Sequence, residues 1–210
     1  MCYIVKMNKK KILCFGDSNV YGFMPMTGLR YLKRSRWTGI LQNLCDDEFE
    51  VIEAGANNRT AFSDNSAGEN FTGYKILPKL LDKDYDTVIL AVGANDLQYQ
   101  YNNSADDFMA GMTKLVNIVK DNCPKAKIIL ASPSVITDKV LKSFFIEMFN
   151  EESIQKSYML ADIYQEIAIK NNCLFIDLEK IAKVSDKDGL HYDSDAHKAI
   201  AEAFYSTLKP

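Results

Sequence analysis

The sequence has 210 residues, of which 47% are hydrophobic and 25% are charged, and this length and composition predict one globular domain over residues 1–210. The net charge is −3, which argues against nucleic acid as a partner, because phosphates attract basic surfaces. No apolar run reaches the length of about 18 residues that a membrane span needs, so we also expect no membrane partner.

The N-terminus and the cysteines bear on location. The stretch Met1 to Met7 lacks the order of a signal peptide, in which basic residues precede a longer apolar run. The cysteines are an odd, widely spaced set without a CxxC pair: Cys2, Cys14, Cys45, Cys123 and Cys173. Such a set predicts reduced thiols packed as small apolar side chains, and hence a cytoplasmic protein.

Short apolar runs recur along the chain and predict strands that are buried on both faces. They are rich in Val, Ile, Leu or Phe and lack the polar alternation of a half-exposed strand. In chain order the runs are Lys11 to Phe15, Glu50 to Ala54, Thr87 to Val92, Lys127 to Ala131 and Cys173 to Leu178.

Segments with helical spacing separate these strands. The clearest is Ser104 to Asn122, which Ser104 can cap and which Cys123-Pro124 ends. In the segment Gly68 to Leu81, Pro78 is expected to kink or split the helix. The other predicted helices are Trp37 to Cys45, Ile154 to Asn171 and Asp195 to Leu208.

The alternation of strands and helices predicts an α/β fold, a three-layer α/β/α sandwich with a five-stranded parallel sheet. Of the two common doubly wound strand orders we favour 2-1-3-4-5, the flavodoxin-like one. Met24 to Arg36 and Ser134 to Glu152 are long irregular stretches, which are often functional. Within the second, Ser143 to Phe149 is too apolar for a solvated loop, so we expect a lid beside the site or a subunit interface.

Ligands of an open α/β sheet bind beyond the carboxyl ends of the strands, so the residues that follow each strand indicate the chemistry. The turn after the first strand fits neither GxGxxG nor GxxxxGK[ST] nor GxSxG, which excludes dinucleotide, P-loop and α/β-hydrolase elbow sites. The segments of interest are Gly16-Asp17-Ser18, Gly55-Ala56-Asn57-Asn58, Gly93-Ala94-Asn95-Asp96 and Asp188-Gly189-Leu190-His191.

These segments contain the parts that ester hydrolysis by a serine requires: a base, a carboxylate that orients the base, and donors for the oxyanion. The chain has 2 histidines, so the base is His191 or His197. Asp188 precedes His191 by three residues, a spacing that lets its carboxylate reach one imidazole nitrogen. The natural oxyanion donors are the backbone N–H groups of Ser18 and Gly55 and the side-chain amide of Asn95.

The motifs Gly16-Asp17-Ser18, Gly55, Gly93-x-Asn95-Asp96 and Asp188-x-x-His191 resemble, in order, those of the SGNH, or GDSL-type, hydrolases. The resemblance implies a triad and an oxyanion hole, with no metal or cofactor. Its catalytic residues would be Ser18, Asp188 and His191, and its oxyanion donors Ser18, Gly55 and Asn95.

Further motifs are similar to the arylesterase and acyltransferase branch of that family, which includes carbohydrate acetyl esterases. They are Arg36-Trp37-Thr38-Gly39, Arg59-Thr60 and Ala131-Ser132-Pro133. The chain departs from the branch at Asn57-Asn58 and at Asn19-Val20-Tyr21, and these departures bear on the acyl group that is preferred.

Several polar residues near the motifs are better explained by structure than by catalysis. Asp17 is expected to accept backbone N–H groups that shape its turn, and Asp96 to form a local Asx turn. His197 lies within the last predicted helix and is assigned a structural role. Trp37 is expected to anchor helix packing, and Arg36 beside it to pair with a carboxylate.

The sequence therefore predicts a cytoplasmic serine esterase that hydrolyses small, acetyl-type carboxylic esters through an acyl-enzyme. Acetylated sugars are the favoured small-molecule substrates, acyl transfer is a second outcome, and the apolar stretch predicts a homo-oligomer. One alternative is a lysophospholipase or thioesterase of the same superfamily. Another is a noncatalytic carbohydrate-binding module, against which the intact Ser18, Asn95, Asp188 and His191 argue.

Overall fold

Five parallel strands form one sheet in the order β2-β1-β3-β4-β5, which confirms the predicted strand order. The computed structural model describes residues 9–46, 48–82 and 84–209, so the expectations about Met1 to Met7 and Cys2 concern residues outside these ranges. The strands are β1 Lys10–Gly16, β2 Phe49–Gly55, β3 Thr87–Ala91, β4 Lys127–Ser132 and β5 Leu174–Asp177.

Helices connect the strands and follow the last one. The α-helices are α1 Ser18–Tyr21, α2 Trp37–Cys45, α3 Gly73–Leu80, α4 Ala105–Asn122, α5 Glu151–Ser157, α6 Leu160–Asn171, α7 Leu178–Ile181 and α8 Ser194–Leu208. Short 3-10 helices span Lys33–Ser35, Glu69–Phe71, Ala94–Leu97, Asp138–Lys142 and Phe144–Glu147.

The sheet separates two apolar layers, as the alternating directions of strand side chains require. In β1, Leu13 and Phe15 belong to a core that also contains buried side chains of α3, α4 and α6. Ile12 and Cys14 belong to a second core with buried side chains of α2 and α8. The fold is thus the three-layer α/β/α sandwich that the sequence predicts.

In this strand order β2 lies on one side of β1 and the later strands lie on the other side, and a crevice forms where the order reverses. β1 pairs with β2 on one side and with β3 on the other, and Gly16 is aligned with both Gly55 and Ala91. The loops that follow β1, β2 and β3 therefore start next to one another, at the edge where doubly wound sheets bind ligands.

Two helix predictions differ from the structure. The segment predicted as a helix from Gly68 contains a 3-10 turn, and α3 begins only at Gly73 because Thr72 is extended. Pro78 does not split α3, which ends two residues later at Leu80.

The predicted helix Ile154 to Asn171 is divided into α5 and α6. The Ser157 hydroxyl donates to the Ile154 carbonyl at 2.6 Å and accepts the Ile136 N–H at 3.1 Å. This local bonding competes with a continuous helical ladder, which explains the break after Ser157.

Predicted local interactions outside the site are confirmed. The Ser104 side chain accepts the N–H of Asp107 and completes a capping box at the start of α4. Trp37 is 2% exposed and stacks on Phe204 of α8. The Arg36 guanidinium forms two hydrogen bonds with the carboxylate of Glu53 on β2, at 2.7 and 2.5 Å.

Among the described residues, none of the helices combines the length and the apolar composition that crossing a membrane would require.

Candidate active site

Ser18 lies at the first position of α1, directly beyond the carboxyl end of β1. Asp17 caps this short helix, since its Oδ1 accepts the N–H of Asn19 at 2.9 Å; the expected turn-shaping role of Asp17 is confirmed. A Cβ on Gly16 would lie 2.2 Å from both the Ala91 carbonyl oxygen and a Val20 methyl group. Glycine is required there because strand β3 and helix α1 approach the turn so closely.

The side chains of Ser18, His191 and Asp188 form a continuous hydrogen-bonded chain. His191 Nε2 lies 2.9 Å from Ser18 Oγ, and His191 Nδ1 lies 2.9 Å from Asp188 Oδ2. All three side chains are buried, with exposed fractions of 7% for Ser18, 1% for His191 and 0% for Asp188. The structure thus brings Ser18 into contact with His191, which lies 173 positions later in the sequence.

The turn that carries Asp188 and His191 is held by its own carboxylate. Asp188 Oδ1 accepts the N–H groups of Leu190 at 3.0 Å and His191 at 2.9 Å. Burial acts to raise the pKa of Asp188, but its hydrogen bonds with the ring and backbone of His191 and the Leu190 N–H outweigh burial, so the pKa lies below its ordinary value. The group that faces the imidazole is therefore a carboxylate near neutral pH.

Gly189 makes this turn possible and connects it to the irregular stretch after β4. Its φ is +71°, and a Cβ there would lie 2.6 Å from the Val140 nitrogen and 2.7 Å from Thr137 Oγ1. The Thr137 N–H also donates to the Gly189 carbonyl at 3.0 Å. The segment around Thr137 therefore packs directly on the turn that presents His191.

Two aromatic rings flank the imidazole of His191. The ring centroid of Phe23 lies 4.4 Å from that of His191, and the centroid of Phe145 lies 5.0 Å from it. Phe145 is 7% exposed, whereas its neighbours Phe144 and Ile146 are 52% and 50% exposed. The apolar stretch Ser143 to Phe149 thus covers the histidine with one residue and presents two others to solvent.

Asn19 connects α1 to both sides of His191. Its Nδ2 donates to the Leu190 carbonyl at 3.2 Å, and its Oδ1 accepts the Tyr192 N–H at 3.3 Å. The Asn19 carbonyl in turn accepts the indole N–H of Trp37 at 3.1 Å. A residue that the sequence shows only as a departure from a motif thus ties the serine helix to the histidine turn.

Of the three candidate oxyanion donors, Gly55 is the last residue of β2, and Ser18 and Asn95 lie just beyond β1 and β3. A Cβ on Gly55 would lie 2.2 Å from the Tyr21 nitrogen, so the backbone of α1 lies against Gly55. Asn95, in the 3-10 helix after β3, is 5% exposed, and its Nδ2 donates to the Arg59 carbonyl at 3.0 Å. An amide nitrogen carries two hydrogens, so Asn95 retains a second donor.

Asp96 does not form the local Asx turn that the sequence predicts. Its carboxylate instead accepts three backbone N–H groups from the loop after β2: Ala61 at 2.5 Å, Phe62 at 3.1 Å and Ser63 at 2.9 Å. The expectation of a local turn was wrong because these partners lie 33 to 35 positions away in the sequence. Asp96 therefore joins the loop after β3 to the loop after β2.

The second histidine, His197, supports the start of α2. It is 0% exposed, and its Nδ1 accepts the N–H of Trp37 at 3.3 Å. Arg36 precedes α2 without a side-chain cap of its own, so the imidazole satisfies one of the unpaired N–H groups at that helix terminus. This contact agrees with the structural role expected for His197.

We expect His197 to make the protein less stable as the pH falls from about 6.5 towards 4. Burial is the main cause that lowers the pKa of His197 from 6.5 to about 4, so the ring stays neutral in the folded chain while the unfolded chain takes up a proton. The contribution of the neutral ring to the free energy of unfolding is complete above the pKa of His197 in the unfolded chain. It is lost as the pH falls through the pKa of His197 in the folded chain, and the loss is on the order of 3 kcal/mol.

Urea unfolding between pH 7 and pH 4.5 measures this loss, and His197→Asn is the matched variant. Its amide oxygen can still accept the Trp37 N–H, but the side chain does not titrate, so its stability should depend less steeply on pH. Parallel pH profiles for the two proteins would contradict the expectation. Turnover should be nearly the same in both.

Among the described residues, no group of three or more His, Cys, Asp and Glu side chains is arranged to hold a metal ion.

The chain matches a protein family and several solved structures. The family model described as GDSL-like lipase/acylhydrolase matches residues 12–204. The solved structure of an M. smegmatis aryl esterase is 28% identical, with a TM-score of 0.88 over 95% of this chain and 98% of that one. A carbohydrate acetylesterase from Sinorhizobium meliloti is 26% identical, with a TM-score of 0.89 over 95% and 98% of the two chains.

A lipase/acylhydrolase from Enterococcus faecalis, 23% identical with a TM-score of 0.67 over 96% and 98% of the chains, shares the fold. A comparison with curated protein sequences finds no match.

Proposed function

The chain belongs to the GDSL-like lipase/acylhydrolase family and is a carboxylic ester hydrolase, and from this premise we propose that Ser18, His191 and Asp188 form its catalytic triad. The observation that carries the proposal is the hydrogen-bonded chain from Ser18 Oγ through both nitrogens of His191 to Asp188, with 2.9 Å at each step. The nucleophile and the base are within proton-transfer distance, and the carboxylate orients the ring.

In the first half of the reaction, Ser18 Oγ attacks the ester carbonyl carbon while His191 Nε2 removes its proton. The negative charge that develops on the carbonyl oxygen is stabilised by the N–H groups of Ser18 and Gly55 and by the second amide hydrogen of Asn95. Asp188 stabilises the imidazolium. When the intermediate collapses, the imidazolium protonates the leaving alkoxide, the alcohol departs, and the acyl group remains on Ser18.

In the second half, water attacks the acyl-enzyme and His191 again acts as the base, so that the acid is released and Ser18 recovers its proton. An acceptor alcohol in place of water would give acyl transfer by the same steps. Both outcomes need the same groups, so the nature of the acceptor that reaches the site decides between them.

We propose small, acetyl-type esters as substrates, with acetylated sugars favoured. Support comes from the aryl esterase and carbohydrate acetylesterase among the similar structures and from Phe23 and Phe145, which pack against His191 and restrict the space beside it. The lysophospholipase or thioesterase alternative would need an apolar groove for a longer acyl chain. A noncatalytic carbohydrate-binding module would not need the hydrogen-bonded Ser18.

An acyl-chain series of p-nitrophenyl esters, followed by a panel of acetylated sugars, tests the substrate class. We expect kcat/KM to be highest for acetate and to fall as the chain lengthens. A maximum at octanoate or beyond would support the lysophospholipase or thioesterase alternative. Labelling of Ser18 by a fluorophosphonate separates every esterase from a binding module, which would not react.

We also propose that the protein forms a homo-oligomer through the apolar side chains that it exposes near the site. Beside Phe144 and Ile146, which are 52% and 50% exposed, the irregular stretch after α1 exposes Leu29 at 62% and Leu32 at 59%. The two segments approach each other where the Phe23 ring packs against Phe145, with 6.1 Å between the ring centroids. Exposed apolar side chains on segments that meet in this way favour a contact surface.

Replacing Phe144 with aspartate should dissociate the oligomer, because it places a charge in the proposed contact while leaving Phe145 against His191. Light scattering at micromolar concentration measures the mass against the 23.8 kDa of one chain. The matched control is Ile169→Asp on α6, where the side chain is 74% exposed and the mass should not change. A wild-type mass near that of one chain would reject the interface.

For location and organisation we propose a cytoplasmic protein with a single domain over residues 1–210. The free thiols of Cys14 and Cys45 support the first proposal, and burial raises the pKa of Cys45 to about 11, so that it is a packed and unreactive thiol. The family match over residues 12–204 supports the second.

A further inference from the structure

The side-chain amide of Gln98 connects the loops that follow β2 and β3. Its Nε2 donates to Asn95 Oδ1 at 3.0 Å and to Asn58 Oδ1 at 2.7 Å, and its Oε1 accepts from Gln100 Nε2 at 3.0 Å. Gln98 is 1% exposed. A buried amide that uses both hydrogens on two other side-chain amides is strongly constrained in its orientation.

The direction of this amide chain follows from its end at Arg59. The Arg59 carbonyl can only accept a hydrogen bond, so Asn95 must present Nδ2 to it, as it does at 3.0 Å. Asn95 then presents Oδ1 to Gln98, so Gln98 must supply a hydrogen-bond donor to that oxygen. The second hydrogen of Gln98 Nε2 requires a second acceptor, and Asn58 Oδ1 supplies it.

Both ends of the chain are anchored to the loop that follows β2. The Arg59 guanidinium donates to the carbonyls of Gly16 at 3.1 Å and Ala54 at 2.5 Å, which holds the Arg59 backbone near the ends of β1 and β2. Asn58 adopts a left-handed conformation with φ of +60°, which asparagine tolerates better than most residues. Its carbonyl accepts from Asn65 Nδ2 at 2.7 Å.

We infer that Gln98 is a positioning residue for the oxyanion hole: it holds the Asn95 amide in the orientation that directs its nitrogen, rather than its oxygen, towards the reacting carbonyl. The inference rests on the proposed role of Asn95 as an oxyanion donor. Rotation of the Asn95 amide by a half turn would replace a donor by a lone pair and would repel the developing charge. Asn58 Oδ1 is then the acceptor that orients Gln98.

Gln98→Glu reverses the hydrogen-bonding sense of this position with little change in shape. A carboxylate only accepts, so Asn95 Nδ2 is drawn away from the Arg59 carbonyl and the oxyanion. We expect kcat to fall roughly 10- to 100-fold while KM changes less than about twofold. Gln98→Met, which neither donates nor accepts strongly, should lower kcat by less, because the Arg59 carbonyl still favours the correct orientation.

A double-mutant cycle with Asn95→Ala distinguishes positioning from a general structural effect. Without the Asn95 amide, either change at Gln98 should alter kcat by less than about twofold. The kcat values are divided by the folded fraction, measured by circular dichroism at the assay temperature. If Gln98→Glu does not fold, the cycle with Gln98→Met decides by the same criterion.

Gln42→Glu is the matched control for placing a carboxylate at a bridging glutamine. Gln42 Nε2 donates to the Phe49 carbonyl at 3.0 Å, and its Oε1 accepts the Val51 N–H at 2.8 Å, at the other end of the sheet. This change should lower the free energy of unfolding without lowering kcat.

Four results would overturn the inference. Equal losses of kcat in the presence and absence of the Asn95 amide would make Gln98 structural, and a change confined to KM would make it a substrate contact. Wild-type kcat in both Gln98 variants, with a large loss in Asn95→Ala, would reject the positioning role alone. Wild-type kcat in Asn95→Ala would instead reject the proposed oxyanion role of Asn95, and the role of Gln98 with it.

Discussion

Replacing Ser18 with alanine should lower kcat by about 10⁴- to 10⁶-fold and abolish fluorophosphonate labelling, because the proposed acyl-enzyme forms on the Ser18 hydroxyl. The residual rate should come from binding and from the oxyanion donors, which the substitution leaves in place. The loss of one hydroxyl from a 7% exposed side chain should change stability little, so thermal unfolding should remain close to that of the wild type.

Ser132→Ala is the matched control for Ser18→Ala. Ser132 ends β4 at the same edge of the sheet, and its buried hydroxyl has no hydrogen-bond partner among the described residues. Activity and labelling should therefore persist in this variant. Labelling that survives in Ser18→Ala, or turnover within about tenfold of the wild type, would place the nucleophile elsewhere.

Replacing Asn95 with alanine should lower kcat roughly 10²- to 10³-fold, which corresponds to about 2.7–4 kcal/mol of transition-state stabilisation. KM should change little, because the amide interacts more strongly with the oxyanion than with the ground-state carbonyl. Initial rates over a range of p-nitrophenyl acetate concentrations separate the two constants.

Asn103→Ala provides the comparison for Asn95→Ala. The Asn103 amide donates to Ser63 Oγ and to the Asp96 carbonyl, each at 2.8 Å, and so supports the same loops without a proposed role in the reaction. It should lower stability and leave kcat nearly unchanged. An effect of Asn95→Ala on KM alone would make Asn95 a substrate-binding residue.

The positions of the strands and of the candidate site residues follow from the sequence by itself. A strand buried on both faces must be continuously apolar, so the runs before Gly16 and Gly93 mark strand ends without knowledge of the fold. The expectation of burial on both faces was wrong for β2, because β2 is an edge strand of mostly intermediate burial that carries Glu50 and Glu53. Parallel strands place their carboxyl ends at one edge, and the serine, glycine and asparagine that follow these runs must therefore meet there. The spacing of Asp188 and His191 is likewise local, and one turn is enough to bring them together.

Only the tertiary structure decided which distant groups complete these local features. The carboxylate of Asp96 binds N–H groups of another loop, and the amide of Gln98 donates to both Asn95 and Asn58. Local spacing carries no information about such partners, because polar side chains at loop positions have several acceptors or donors within reach of their own turn. Asn19 gave no local signal either, since its partners on both sides of His191 lie at the opposite end of the chain.

The same distinction applies to the helix boundaries and to the apolar stretch Ser143 to Phe149. Periodicity indicates that a helix exists, but the start of α3 depends on the extended conformation at Thr72, and the break after α5 depends on the contact between Ser157 and Ile136. Composition shows that the stretch is apolar, whereas the fold places Phe145 against His191, buries Phe149 and leaves Phe144 and Ile146 exposed. Burial is decided by the neighbours that the fold brings into contact, and these neighbours are set by the assembled layers of the sandwich rather than by the local sequence.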